Sequence, residues 1–169
     1  QKEPIFPTRP VVNPERRLEH LSDDFSESPE KEYETRERSV RTTGTMVDPR
    51  TWLKSQYTNE NDQMICQICK KEMPFRKRDG EYYFEKKEAL SREYFTKEHE
   101  AQYLALCPLC AAMYEEFIKN DPTSMEELKE KITHAENSEV SITLGQVHTS
   151  VRFVETHYHD LKTIINGAV

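Results

Sequence analysis

Four cysteines in two pairs, Cys66-Gln67-Ile68-Cys69 and Cys107-Pro108-Leu109-Cys110, constrain this chain more than any other feature, because four thiolates at that spacing build a tetrahedral metal cage. Each pair supplies two sulfurs from one tight turn, 37 residues separate the pairs, and no cysteine is left over. The expected cofactor is one structural zinc ion in a closed site, with Cys66, Cys69, Cys107 and Cys110 as its ligands. A chain with such a staple does not need a large apolar core. The composition agrees: a third of the 169 residues are charged, mean hydropathy is −0.90 and the net charge is −7.

Other uses of four cysteines compete with zinc. Two disulfides would suit a secreted scaffold, but no signal-like apolar stretch is present and the cysteine density is low for such a fold. A redox Cys-x-x-Cys needs a strand-to-helix turn in a larger α/β sheet, which the pattern does not supply. Iron in a rubredoxin-like site stays open, since thiolates suit either metal, although Lys70 and Ala111 stand where such loops place glycine.

Charge and hydropathy exclude other classes. A net charge of −7 opposes wrapping nucleic acid by bulk electrostatics, which leaves only a local basic patch. No run reaches the roughly 18 apolar residues of a membrane span, so the expectation is a soluble, cytoplasmic protein without membrane contact. The first residue is Gln1 rather than Met, which suggests a piece of a longer chain.

The pattern divides the sequence into three stretches. Residues 1–47 carry prolines at 4, 7, 10, 14 and 29 and an acidic run from Asp23 to Glu34, and read as an extended or partly disordered arm. Ile5, Phe6, Val11, Val12, Leu18, Leu21 and Phe25 are the residues by which it would clamp onto a neighbouring surface. Residues 48–121 hold the metal ligands. Asp48 followed by Pro49 predicts a helix start, and Trp52 is expected to pack against the metal-binding stretch. Asp79-Gly80 between strand-forming residues predicts a β-hairpin over 70–86, residues 86–100 are helix-tolerant, and Pro108 opens a helix with Leu109, Met113 and Phe117 on one face. Residues 122–169 read as a helix with a Ser124-x-x-Glu127 capping box and Met125, Leu128 and Ile132 inward, then a hairpin around Gly145. A terminal helix follows, with His157, Leu161, Ile164 and Ile165 on one face. The fold class is therefore α+β: a small zinc-stabilised ββα core with an extended arm and a C-terminal hairpin plus helix.

A knuckle, a hairpin, and a helix whose first turn carries the second ligand pair is the order of a treble clef. The Cys-Gln-Ile-Cys pair, Tyr83-Phe84-Glu85 as outgoing strand, and Leu104-Ala105-Leu106-Cys107-Pro108-Leu109-Cys110 at the helix start resemble the HNH endonucleases whose ββα motif sits on a four-cysteine zinc scaffold. The resemblance covers about residues 65–119. It implies a general-base and metal-binding histidine pair after the strand, where Lys86-Lys87-Glu88 stand here, and a metal histidine after the last cysteine, where Ala111 stands. The motif's asparagine would fall near Gln102 or Tyr103. Lysine is cationic at neutral pH and alanine has no donor, so the catalytic site that the resemblance implies cannot form from these residues. A weaker resemblance spans Arg36-Glu37-Arg38-Ser39-Val40-Arg41, the knuckle region, Val151-Arg152-Phe153 and His157 to Leu161. These are similar to the distal part of very long bacterial proteins that begin with a GHKL-type ATPase.

Other candidate sites are weaker. Lys70, Lys71, Arg76, Lys77 and Arg78, interleaved with Phe75 and followed by Tyr82 and Tyr83, form one basic aromatic patch that could meet DNA or RNA or be a solvated hairpin tip. Residues 62–120 hold 10 basic and 11 acidic side chains, so that patch is local. Glu85, Glu88 and Glu100 are the carboxylates a divergent nuclease would use for Mg2+. His157 and His159 do not share a helix face, and His20, His99, His134 and His148 show no ligand spacing. No glycine-rich phosphate loop or nucleophile signature exists. The expected function is a non-catalytic structural-zinc module for protein association within a larger multidomain protein. A nucleic-acid contact, a divergent HNH-type nuclease and a DNA-sensing module of a defence or repair system are the alternatives.

Overall fold

Helix α1, Pro49–Tyr57, starts where the sequence places it: the Asp48 carboxylate accepts from the Thr51 backbone N–H, and Pro49 occupies the first turn. The computed structural model describes residues 4–14, 16–17, 48–95 and 98–167; Leu18, Leu21, Phe25 and residues 36–41 of the arm lie outside them. Leu53 and Tyr57 leave α1 on its buried face, and both are fully enclosed. Trp52 packs edge-on to His157 of the last helix, 5.1 Å between ring centres.

The chain then makes the first cysteine turn and runs into the Asp79-Gly80 corner. Gly80 adopts φ +91°, and its N–H reaches the Lys77 carbonyl at 2.9 Å. The expected 70–86 hairpin is short: Arg76 bridges Tyr82, the Tyr83 N–H bonds the Phe75 carbonyl at 3.1 Å and the Lys77 N–H bonds the Glu81 carbonyl at 2.7 Å. The regular ladder forms one step later, between β1 (Glu85–Glu88) and β2 (Tyr103–Leu106), antiparallel from Glu85↔Leu106 to Glu88↔Tyr103. Every residue of β2 is buried, so this apolar strand takes the available partner and needs cover on both faces. The described residues of 86–100 are correspondingly not one helix. They finish β1, bury Ala89, Leu90 and Phe95 singly, and form a short 3-10 turn over Arg92–Tyr94, with a second over Glu100–Gln102. Isolated anchors of this kind lack the period that a helix needs.

Helix α2, Pro108–Tyr114, continues as one wide turn over Glu115–Lys119. Its rotation corrects the sequence expectation: Leu109 and Phe117 are 68% and 38% exposed, while Cys110, Ala111, Tyr114 and Ile118 face inward. Two cysteines in the first turn must point at one centre, and positions 111, 114 and 118 follow at helical spacing. Helix α3, Pro122–His134, buries Met125, Leu128 and Ile132 as expected. Its cap position belongs to Asp121 and not Ser124, whose hydroxyl donates to the Asp121 carboxylate at 2.7 Å. Pro122 fits the first helical position and sets the earlier start.

Strands β3 (Glu139–Leu144) and β4 (Val147–Arg152) form the expected hairpin, with Val140, Ile142 and Leu144 inward. Gly145 turns it at φ +68°, and a Cβ there would meet the Phe117 ring at 2.9 Å. Helix α4, Glu155–Gly167, closes the core with His157, Leu161 and Ile164. Among the described residues no helix is long and apolar enough to cross a membrane.

The described part of the arm lies on this core. Phe6 is buried between the Tyr57 ring, 5.9 Å away edge-on, and the Arg152 guanidinium, 4.4 Å above its face. Arg9 donates to the Ser55 and Thr58 carbonyls, which α1 leaves open at its C-terminal end. Arg17 makes a two-pronged bond to Asp160 at 2.8 and 2.7 Å. Ile5 and Val12 are exposed and do not clamp.

Candidate metal centre

The two cysteine pairs, on different elements, converge. The four Sγ atoms of Cys66, Cys69, Cys107 and Cys110 all lie within 4.8 Å of one another. The first pair sits on a tight turn in which the Lys70 N–H bonds the Cys66 carbonyl at 3.0 Å and the Cys66 N–H bonds the Lys71 carbonyl at 2.9 Å. The second sits at the start of α2: Cys107 is its cap residue, and the Cys110 N–H points at the Cys107 sulfur at 3.5 Å. Backbone N–H groups of Ile68 and Cys107 both point at the Cys66 sulfur, each at 3.4 Å. Donors aimed at sulfur favour thiolate over thiol. Cys66 and Cys110 are buried, and Cys69 and Cys107 are half-buried.

Packed this closely, the thiols share their protons unequally. Hydrogen bonds from Cys110, Cys66 and Cys69 hold Cys107 far below the ordinary thiol range, while bonding to Cys107 pushes Cys66 and Cys110 up. A cation held by Cys66, Cys69, Cys107 and Cys110 would replace those protons and leave four thiolates, which are soft donors in a closed set. The donor chemistry therefore fits a metal ion. Among the described residues no other group of three or more His, Cys, Asp or Glu side chains comes together in this way.

The turn carries two residues whose roles the sequence did not announce. Lys70 has a φ of +61°, where glycine is unstrained, and its ammonium donates to the Ser150 carbonyl and hydroxyl at 2.8 and 2.7 Å. Gln67 is fully buried and bonds on both sides: its N–H and side-chain oxygen pair with Ala105 of β2, and its carbonyl and side-chain nitrogen pair with Arg152 of β4. One glutamine thus ties the cysteine turn to both two-stranded sheets.

Where the resemblance implied a catalytic pocket, between β1 and α2, the structure has ion pairs. Lys87 meets Glu115 at 3.0 Å and Lys119 meets Glu88 at 2.9 Å, with Arg92 on the other Glu88 oxygen. Lys86 lies over the Tyr103 ring at 4.6 Å, Glu85 accepts from the Tyr83 hydroxyl, and Ala111 is buried behind Cys110. Glu100 is buried and does not join Glu85 and Glu88 in a cluster.

The basic patch is not one surface. Lys70 faces the β3–β4 hairpin. Arg76 stacks 4.0 Å over Tyr82, bonds the Gly80 carbonyl and meets Asp62 at 3.5 Å. Lys77 and Arg78 stay exposed in the turn, Lys77 at 3.9 Å from Asp79, and Lys71 is exposed beside the cysteine turn.

A second polar centre lies in the core. His157 is fully buried; its Nδ1 is 2.7 Å from the Tyr57 hydroxyl and its Nε2 is 3.0 Å from the Ala101 carbonyl. A carbonyl only accepts, so Nε2 carries the proton, Nδ1 accepts from Tyr57, and the Tyr57 oxygen accepts from the Val154 N–H at 3.1 Å. Burial pushes His157 down to about 4, so it is neutral at pH 7. His99 is likewise lowered by burial to about 4, and its Nδ1 caps the 3-10 turn by accepting from the Ala101 N–H at 3.0 Å. Sequence spacing pointed to a core role for His157 but gave no sign of Tyr57 or Ala101.

No family model, curated protein or solved structure matches this chain, so the functional reading rests on the geometry of the cysteine centre and the surfaces around it.

Proposed function

We propose that this chain is a zinc-stabilised treble-clef module that holds no nuclease chemistry and serves as an association surface within a larger protein. The observation that carries the reading is the closed set of four sulfurs: with four protein ligands a tetrahedral ion keeps no open position for substrate or water. Zinc is preferred over iron because Cys110 is followed by Ala111 and the first turn uses Lys70, a pattern unlike rubredoxin loops. The lysine–glutamate pairs between β1 and α2 support the absence of catalysis, since Glu88 and Glu115 are each neutralised by an ammonium and Glu85 accepts from the Tyr83 hydroxyl.

Elemental analysis of protein purified without added metal tests the first half. One zinc per chain is the expected result, and a folded protein without metal overturns the reading. Changing any of the four cysteines to serine is expected to abolish metal retention. Incubation with plasmid and Mg2+ or Mn2+ tests the second half. Chelator-sensitive cleavage lost on Glu85→Gln or Glu88→Gln would establish a divergent nuclease instead.

A further inference from the structure

Phe75 is 52% exposed, and its ring lies parallel to that of Tyr83, with 8° between the planes and 5.2 Å between centres. Offset stacking is an ordinary aromatic pairing, and what sets this pair apart is that Phe75 stays exposed, leaving ring surface that a third planar group can cover. The surrounding charge narrows what that group is. Lys77 and Arg78 are exposed in the turn that follows Phe75. Arg50 is exposed, bonds the Phe84 carbonyl at 3.2 Å and lies 5.0 Å over the Phe84 ring, next in the chain to Tyr83. Lys70 is turned to Ser150 and Arg76 is held over Tyr82 and beside Asp62, so neither joins them; the carboxylates at this corner include Asp79, 3.9 Å from Lys77, and Glu85, which accepts from the Tyr83 hydroxyl.

We propose that the Phe75–Tyr83 stack is a platform for an unpaired base of single-stranded nucleic acid, with Lys77, Arg78 and Arg50 meeting the flanking phosphates. A duplex offers only base edges in its grooves and phosphates outside, whereas a single strand offers ring faces and charge together. A second copy of this chain would bring the same three cations against their counterparts, and an acidic peptide would meet the cations but not the ring. The net charge of −7 confines contact to this corner, which makes the binding local and sensitive to salt.

The inference goes beyond the module reading and does not require a particular protein partner. The test is fluorescence anisotropy at low salt with a labelled oligo-dT, an oligo-U and a blunt duplex, and with polyglutamate as competitor, zinc content being measured on every sample. Single strands are expected to bind more tightly than the duplex and to resist polyglutamate. Phe75→Ala is expected to weaken binding about tenfold, the size of one lost base stack, while Phe75→Trp retains it. Replacing Lys77 and Arg78 together by alanine is expected to lower the salt dependence by about one to two counterions. No binding at low salt, equal binding of duplex, equal competition by polyglutamate, or a Phe75→Ala protein that binds like the parent would each overturn it. A zinc-loaded sample that ignores the oligonucleotides sinks this inference alone; a folded sample without metal sinks the module reading instead.

Discussion

Lys70 shows how one residue can carry both strain and anchorage. A side chain at φ +61° costs about 1 kcal/mol relative to glycine, and here the ammonium reaches Ser150 in return. Lys70→Gly removes strain and anchor together, while Lys70→Ala removes only the anchor. Urea unfolding is therefore expected to rank Lys70→Gly above Lys70→Ala by about 1 kcal/mol, and the reverse order would mean that the turn relaxes freely. Gln67 is the stronger case. Gln67→Leu keeps the volume but leaves the Ala105 N–H without its acceptor, and a buried orphan donor costs about 2 kcal/mol. A shift in urea midpoint near zero would show that water replaces the amide. The four cysteines could be read from spacing because metal chemistry demands it. Gln67 could not, since its partner Arg152 lies 85 residues away.

At the scale of elements, α1, α4 and the 3-10 turn at Glu100–Gln102 meet through Tyr57, His157 and Ala101. His157 and His99 both titrate near 4 in the fold and near 6.5 when unfolded, so the unfolded chain binds more protons between those values. Their contribution is complete above about pH 6.5 and is lost as pH falls through about 4. Each histidine is expected to cost about 2 kcal/mol between pH 7 and pH 5, because the unfolded imidazole gains a proton over that range and the buried one does not. Acid also loosens a thiolate centre, so the readout is the difference in slope between the parent and His157→Gln. Equal slopes would mean that His157 titrates normally. Element types were legible wherever a local rule acted, as at Asp48-Pro49 and Gly145. The facing of α2 was not: Leu109, Met113 and Phe117 carry the apolar period, yet the centre that Cys107 and Cys110 must face rotates Leu109 and Phe117 outward and leaves Met113 half-buried. The register of β1 with β2 was hidden too, because it depends on β2 being buried on both faces and not on the Asp79-Gly80 turn.

Over the whole molecule, distant segments share one buried apolar core, from Phe6 to Ile164, and a few specific contacts tie its edges. Phe6 sits under Arg152, Arg17 grips Asp160, and Gln67 bridges β2 and β4 from inside the cysteine turn. A domain of this size is typically stable by 5–15 kcal/mol, on the order of ~10 kcal/mol of which a structural zinc can supply by itself. Removing the ion is therefore expected to undo more than the two cysteine turns. Trp52 reports on this, being the only tryptophan and packed on His157 rather than on a cysteine. Chelation at pH 7 is expected to shift Trp52 emission to the red and to lower far-UV ellipticity along the same titration curve, with both signals returning when Zn2+ is added back. The linkage would run from an ion at the cysteine centre through Gln67 and Lys70 to β4, and from β4 to Phe153, whose ring packs 5.0 Å from His157. A tryptophan signal that stays native while the metal leaves would mean that the α1–α4 half folds without the cysteine centre. The two halves would then be joined by contact and not by cooperative folding.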